Sequence, residues 1–196
     1  MPEASVVLLW HGRGPKEAHV LRPLADALSG EGHAVLVPDW DSSAPDGGAG
    51  DLTASLDEAV GDGRPVVVVG WSLGGTAALS VALRGGPVAG VVGLAAATRA
   101  TSPLDGVVPL EVVRTAAPRV PVALVHGTAD PVVSHRRSVQ FAEACPGCSL
   151  RLVDTDHAGV VGTRYDPERG ECVPSSDAAA RRGLAAAVRA VGDVLG

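Results

Sequence analysis

Residues 65–75 read Pro-Val-Val-Val-Val-Gly-Trp-Ser-Leu-Gly-Gly. The four consecutive valines predict a buried β-strand, and the small residues that follow predict a helix. Between them stands Gly70-Trp71-Ser72-Leu73-Gly74, a G-x-S-x-G pattern. Its two glycines allow a strand to turn sharply into a helix, which leaves Ser72 strained and exposed at the helix N-terminus. The alternative is an ordinary helix N-cap serine after a buried strand.

Five further apolar runs surround this stretch. They are rich in Val and Leu, show little alternation, and cover residues 5–10, 34–38, 88–95, 121–126 and 149–153. Such runs are typical of buried parallel strands. Amphipathic stretches lie between them, with apolar residues at helical spacing in 21–28 and 184–195. The alternation predicts an α/β protein, a doubly wound, mainly parallel six-stranded sheet with helices on both faces, folded as one domain over residues 1–196.

The composition restricts the partners of the chain. Apolar residues make up 46% and charged residues 19%, which is typical of a globular protein. The net charge of −6 argues against nucleic acid or an anionic membrane as a partner, since both require a basic surface. No apolar run approaches the length of a membrane span, and the N-terminus lacks the basic start of a signal peptide. We therefore expect a cytoplasmic protein.

The three cysteines do not predict a disulfide framework, because their number is odd. Cys145-Pro-Gly-Cys148 has the spacing of a redox motif but falls at the end of a predicted helix, where the helix dipole disfavours a thiolate. We expect two ordinary loop cysteines here. Cys172 stands alone, so no zinc site is expected.

The stretch from Gly70 to Gly75 resembles the nucleophile elbow of the α/β-hydrolase superfamily, and the surrounding elements follow that superfamily's order over nearly the whole chain. The usual first two strands are absent, so the resemblance implies a trimmed α/β-hydrolase fold. Members of the superfamily that have a lid domain usually carry it at the position that corresponds to residues 96–120 of this chain. Prolines at 103, 109 and 118 leave room there for one short helix at most, so we expect no lid domain.

The resemblance implies a chain order of serine, acid and histidine, because serine needs a neighbouring base. His157 is the only histidine after the last predicted strand, and an exposed loop histidine is the alternative. Asp130 follows the preceding strand in a stretch that resembles the acid-bearing loop of the superfamily; a structural turn aspartate is the alternative. Asp105 is the second candidate for the acid. We expect a Ser72, Asp130 and His157 catalytic triad.

Hydrolysis of an acyl group also needs backbone N–H groups that stabilise the oxyanion. The resemblance implies one from Leu73, which follows the nucleophile. The second is expected from the loop His11-Gly12-Arg13-Gly14, with the Arg13 N–H as first choice and Gly12 as the alternate. A glycine-rich turn that opens a helix is the alternative for this loop.

Two residues are candidates for substrate binding. Trp71 lies beside the nucleophile, and Arg164 lies in the polar, irregular segment 163–177 after the candidate base. That segment is expected to be a loop, either a rim of the site or an inert part of the surface.

The resemblance implies a serine hydrolase of the EC 3.1 class, similar to esterases and dienelactone hydrolases. It would cleave a small-molecule carboxylic ester or thioester through an acyl-enzyme, with no cofactor and no metal. An acyltransferase or peptidase on the same triad is one alternative, and a slow-turnover ligand-binding module is another. A dehalogenase is disfavoured because it would carry aspartate in place of Ser72.

Overall fold

The computed structural model describes residues 5–196, so the start of the N-terminus discussed above lies outside the described residues. Six strands form the central sheet: β1 (Val6–Trp10), β2 (Ala34–Leu36), β3 (Val66–Trp71), β4 (Gly90–Leu94), β5 (Val122–Gly127) and β6 (Ser149–Val153). They lie in the order β2-β1-β3-β4-β5-β6, and every neighbouring pair is parallel. This confirms the predicted six-stranded parallel sheet. Both ends of each predicted strand lie within two residues of the ends of an observed strand.

Helices cover both faces of this sheet, as predicted. They are α1 (Arg22–Gly30), α2 (Ala49–Gly61), α3 (Leu73–Arg84), α4 (Pro109–Val113), α5 (Arg136–Ala144) and α6 (Ala178–Leu195). The segment between β4 and β5 holds α4, five residues long, as the helix-breaking prolines predict. Among residues 5–196, none of these helices has the length and hydropathy needed to cross a bilayer. The cytoplasmic location stays a prediction.

The pleat of the strands divides the apolar side chains into two cores. Along β1, Val6, Leu8 and Trp10 belong to one buried cluster, whereas Val7 and Leu9 belong to the other. Successive side chains of a strand point to opposite faces, so a strand covered on both sides needs an unbroken apolar sequence. The run of four valines in β3 is another such unbroken apolar sequence, because its side chains are buried on both faces of the sheet.

The segment after the candidate base is not the irregular loop expected from its polarity. It forms an antiparallel hairpin, β7 (Thr163–Asp166) and β8 (Glu171–Pro174). The turn between the strands ends at Gly170, whose φ of 70° suits glycine. The hairpin lies outside the main sheet, so its strands carry exposed polar side chains and lack the apolar pattern of the core strands.

The cysteine pair also differs from expectation. Cys145 and Cys148 are joined by a disulfide across the turn between α5 and β6. Cys172 is a free, half-buried thiol in β8.

One edge of the sheet carries a dense group of arginines. Within residues 5–196, β6 has β5 on one side and no strand on the other, and its Leu152 is 43% exposed. A groove of about 480 Å³ runs between β6 and α6, and its walls include four arginines: Arg151, Arg181, Arg182 and Arg189. Two of them form ion pairs, Arg151 with Asp193 at 3.1 Å and Arg182 with Asp154 at 2.9 Å.

Candidate active site

The candidate residues follow four different strands. His11 comes directly after β1, Ser72 after β3, Asp130 after β5 and His157 after β6. The carboxyl ends of parallel strands meet at one edge of the sheet, and the strand order reverses between β2-β1 and β1-β3. Active sites of open α/β folds form at this edge and at this reversal.

Ser72 occupies the sharp turn between β3 and α3. Its φ of 56° and ψ of −114° are rare for a residue with a side chain and cost about 1–3 kcal/mol. The conformation persists because the backbone is held on both sides. The Ser72 N–H donates to the Leu94 carbonyl at 2.9 Å, and the Ser72 carbonyl accepts from the N–H groups of Thr76 and Ala97, both at 3.2 Å.

The glycines of the G-x-S-x-G pattern leave room for this turn. A Cβ added at Gly70 would overlap the carbonyl oxygen of Gly74, and one added at Gly74 would overlap the carbonyl oxygens of Trp10 and His11. These obstacles are all backbone atoms, so no side-chain rotation relieves them. The turn therefore requires glycine at both positions.

Asp130 has a fully buried side chain that accepts four hydrogen bonds. Its Oδ1 accepts the backbone N–H groups of Val132 and Val133, each at 2.8 Å. Its Oδ2 lies 2.7 Å from Nδ1 of His157 and 3.1 Å from Nε2 of His126. The loop thus fixes one oxygen of the carboxylate and directs the other toward two imidazoles.

These contacts keep Asp130 ionised. Burial by itself would raise the pKa of this carboxyl, but the hydrogen bonds from His126, His157 and the Val133 N–H outweigh burial and hold the pKa well below its ordinary value of 3.8. An ionised carboxylate only accepts hydrogen bonds, so Nδ1 of His157 carries the hydrogen. The lone pair of the neutral ring is then on Nε2, which has no hydrogen-bond partner among the described residues.

Trp71 connects the elbow to the histidine loop. Its indole N–H donates to the backbone carbonyl of His157 at 2.9 Å, and the two rings are tilted by 41° with centroids 5.1 Å apart. The residue before Ser72 therefore holds the imidazole beside the elbow. Within the described residues, no hydrogen bond joins the Ser72 hydroxyl to this imidazole, as is common before substrate binds. Trp71 is only 8% exposed, so it packs mainly against protein.

The loop after β1 lies against the elbow. A Cβ added at Gly12 would be 3.3 Å from Cβ of Ser72 and 3.1 Å from the Trp71 ring, so a side chain here would crowd the serine. In the part of the chain that the structure describes, the N–H groups of Gly12, Arg13 and Leu73 have no hydrogen-bond partner. Leu73 is the first residue of α3, where N–H groups lack a partner within the helix.

His11 has a structural environment in this loop. It is fully buried, its Nδ1 lies 2.9 Å from the Gly12 carbonyl, and its Nε2 accepts the Trp40 N–H at 3.1 Å. Trp40 also stacks on the imidazole at 5.3 Å. Burial lowers the pKa of His11 and outweighs the opposing effects of the Gly12 carbonyl and nearby carboxylates. The neutral ring thus ties the loop after β1 to the loop after β2.

Among the described residues, two other candidates form no hydrogen bond or ion pair with Ser72, Asp130 or His157. Asp105, the second candidate for the acid, pairs with Arg84 at 3.3 Å and accepts the Val107 N–H. Arg164 is exposed on β7 and lies 4.0 Å from Asp166. It lines a cavity of about 210 Å³ beside the backbone of the His157 loop.

Two contacts of this centre had not been predicted from the sequence. His126 hydrogen-bonds the same carboxylate as His157, and Trp71 donates to the His157 backbone. The sequence did contain a signal for the first contact, because His126 lies at the end of a predicted strand and only four residues before Asp130. The Trp71 contact spans 86 residues and has no local signal.

Similar folds are known. Est1E from Butyrivibrio proteoclasticus, solved with ferulic acid bound, is 16% identical with a TM-score of 0.73, over 100% of this chain and 93% of that chain. The enol-lactonase from Burkholderia xenovorans LB400 is 16% identical with a TM-score of 0.69, over 98% and 92%. The esterase domain of a Rhodothermus marinus protein is 22% identical with a TM-score of 0.69, over 98% and 90%. At these identities the likeness shows the fold.

A sequence comparison gives the family. A search of the curated proteins found no match. The profile of the alpha/beta hydrolase family matches residues 6–143, which is more than two thirds of the chain. The match includes Ser72 and Asp130 and ends before β6 and His157. Together with the six-stranded parallel sheet, it shows that this chain belongs to the alpha/beta hydrolase family.

Proposed function

We propose that the protein is a serine hydrolase that cleaves a carboxylic ester or thioester through an acyl-enzyme. One observation carries the proposal: Nδ1 of His157 lies 2.7 Å from the buried Asp130 carboxylate, while the same imidazole packs on the residue before Ser72. A base oriented by a buried acid beside a strained serine is the arrangement that activates a hydroxyl for nucleophilic attack.

The first half of the reaction acylates the serine. As the Ser72 oxygen attacks the substrate carbonyl carbon, Nε2 of His157 takes the hydroxyl proton. Asp130 stabilises the imidazolium that forms and keeps the hydrogen of the neutral ring on Nδ1. Collapse of the tetrahedral intermediate breaks the bond to the alcohol or thiol, which leaves with the proton from Nε2.

The second half releases the acid. Nε2 of His157 takes a proton from water, the resulting oxygen nucleophile attacks the acyl carbon, and the proton returns to the Ser72 oxygen as the ester bond breaks. In both halves, the negative charge on the carbonyl oxygen needs donors. We propose the N–H groups of Leu73 and Arg13 as these donors, with Gly12 as the alternate to Arg13. One such donor contributes about 3 kcal/mol of transition-state stabilisation.

The choice of substrate class draws on the similar folds. One of them is an esterase domain, one is an enol-lactonase, and a third was solved with ferulic acid bound. A small-molecule ester is therefore the class that we propose first. The mechanism invokes no cofactor and no metal, and we propose no nucleic-acid or membrane partner for it.

A probe and an ester series test the proposal. A fluorophosphonate should label the wild-type protein and not Ser72→Ala, and p-nitrophenyl acetate should be hydrolysed faster than longer esters up to palmitate. Ser72→Ala should lose nearly all turnover while its melting temperature stays close to wild type. A variant that keeps more than a few per cent of turnover would show that another residue is the nucleophile.

The same experiment separates the alternatives. Transfer of the acyl group to added alcohols or amines, in preference to water, would indicate an acyltransferase. Cleavage of peptides and not esters would indicate a peptidase. A protein that binds small ligands but is not labelled would be a binding module. A rate maximum at long chains, or activation at an emulsion interface, would contradict the short-chain preference that we propose from a site without a lid domain.

A further inference from the structure

A second histidine is buried next to the candidate acid. His126, in β5, has no exposed side-chain surface and has no part in the triad. Its Nε2 lies 2.8 Å from the carbonyl oxygen of Val133. A carbonyl oxygen only accepts hydrogen bonds, so Nε2 of His126 carries a hydrogen. Its Nδ1 lies 2.7 Å from the Ser138 hydroxyl, which can donate to the lone pair of that nitrogen and so fix the tautomer.

This N–H also reaches Asp130. Nε2 of His126 lies 3.1 Å from Oδ2, the oxygen to which Nδ1 of His157 donates at 2.7 Å. Two imidazole N–H groups thus converge on one carboxylate oxygen, while the other oxygen is occupied by backbone N–H groups. Among the described residues, Asp130 is the only charged group paired with His126, and the facing helix α5 contributes the neutral Ser138 hydroxyl.

The shared oxygen couples the two histidines chemically. A donor that hydrogen-bonds a carboxylate draws off part of its negative charge, and the carboxylate then stabilises a neighbouring imidazolium less strongly. A carboxylate without that donor would hold the proton on His157 more tightly. His157 would then act as a base only at higher pH.

The geometry points to His126 as a positioning residue: its Nε2–H fixes the Asp130 carboxylate and limits how strongly that carboxylate retains the proton of His157. This inference rests on the proposed function, because it concerns the acid and base of that reaction. His126 touches no reacting atom and acts through Asp130 alone.

Two amide substitutions separate the donor facing Asp130 from the rest of the ring. The amide nitrogen of glutamine can occupy the position of Nε2, so His126→Gln keeps the N–H that faces Asp130 and Val133. The amide nitrogen of asparagine corresponds to Nδ1, so His126→Asn keeps only the side facing Ser138. Both variants place a neutral amide in the same buried position. They differ in the donor to Asp130 and Val133, in the contact with Ser138 and in one methylene group, and only the first of these differences reaches Asp130.

The measurement is kcat/KM for p-nitrophenyl acetate from pH 4.5 to 9. For His126→Asn we expect the acid limb to move up by roughly half a pH unit or more and kcat to fall about tenfold, since the carboxylate loses a donor and its fixed position. His126→Gln should match the wild-type acid limb and recover most of kcat. Coincident acid limbs for wild type and His126→Asn, or equal shifts in both variants, would overturn the proposal.

Folding and the proposed function are checked separately. If His126→Asn does not fold, the ¹⁵N shifts of the wild-type imidazoles take its place: the His126 resonances should change over the pH range in which His157 gains its proton, because both rings bind the same Asp130 oxygen. His126 resonances that do not follow the protonation of His157 would overturn the proposal. If the wild-type protein is neither labelled nor active, the proposed function fails. ¹⁵N shifts of the imidazoles across the same pH range then test the coupling of His126 and His157 without any substrate.

Discussion

Asp130→Asn tests the candidate acid most directly, because the structure specifies where each atom of the amide must go. Oδ1 of Asp130 accepts two backbone N–H groups, so the single carbonyl oxygen of asparagine belongs there. The NH₂ group then takes the place of Oδ2 and faces Nε2 of His126 and Nδ1 of His157. His126 cannot give up its hydrogen, since the Val133 carbonyl accepts it. His157 must therefore move its hydrogen to Nε2, and the base is lost.

The cost in rate follows from that wrong tautomer. A triad with its acid changed to the amide loses about 10⁴ in kcat, or about 5 kcal/mol of transition-state stabilisation. The assay is steady-state hydrolysis of p-nitrophenyl acetate near pH 8, with the rate of fluorophosphonate labelling as a second reading. Asp105→Asn is the matched control, because Asp105 pairs with Arg84 and should leave turnover near wild type. A loss of less than tenfold in Asp130→Asn would refute the reasoning.

The same substitution has a consequence for stability that depends on pH. The folded pKa of Asp130 is below its ordinary value of 3.8, so the ionised group contributes stability above about pH 4, and this is lost as the pH falls further. The unfolding free energy of Asp130→Asn should lie about 1–3 kcal/mol below wild type at pH 7. Urea unfolding should show this gap narrowing below pH 4. A gap that stays constant down to pH 2 would mean that the charge of Asp130 does not produce it.

Three further predictions concern the scaffold. Trp71→Phe keeps the ring but removes the donor to the His157 backbone, so kcat should fall about tenfold with KM little changed; a raised KM with unchanged kcat would instead place Trp71 on the substrate. Gly74→Ala places a Cβ into backbone carbonyls and should abolish soluble expression, whereas Gly192→Ala in α6 meets open space and should raise the melting temperature slightly. Replacing both cysteines of the Cys145–Cys148 disulfide by serine should leave turnover unchanged and lower the unfolding free energy by about 2 kcal/mol at most, since the closed loop is short.

The sequence was informative where one local pattern determines the structure. A strand covered on both faces needs an unbroken apolar run, so the four buried strands β1, β3, β4 and β5 were visible as apolar stretches. The partly exposed edge strands β2 and β6 were visible because they also contain Val and Leu. The turn at Ser72 needs glycines at fixed offsets, so it was visible too. The hairpin of β7 and β8 was missed because strands outside the core carry polar residues, and polarity is also the mark of a loop.

Contacts between segments that are distant in the sequence were harder to predict. The chain order of serine, acid and histidine names three candidates, and the structure places His157 on Asp130 and against Trp71. The sequence could not show that His126 shares the Asp130 carboxylate, because a histidine at a strand end has many possible neighbours. The disulfide was likewise not predicted, since a spacing of three residues is compatible with bonded and free cysteines alike.

The arginines beside β6 bear on how copies of this chain behave at high concentration. An unpaired edge strand is a template on which a second copy can add its own edge, and this one also exposes Leu152. Two such edges that met would bring together the four guanidinium groups of each copy. Among the described residues, Asp154 and Asp193 are the only carboxylates that form ion pairs with them. At short range that repulsion opposes sheet extension, although the chain as a whole is acidic. High salt or substitution of Arg151 would weaken this protection. We then expect the protein to aggregate through the open edge of β6.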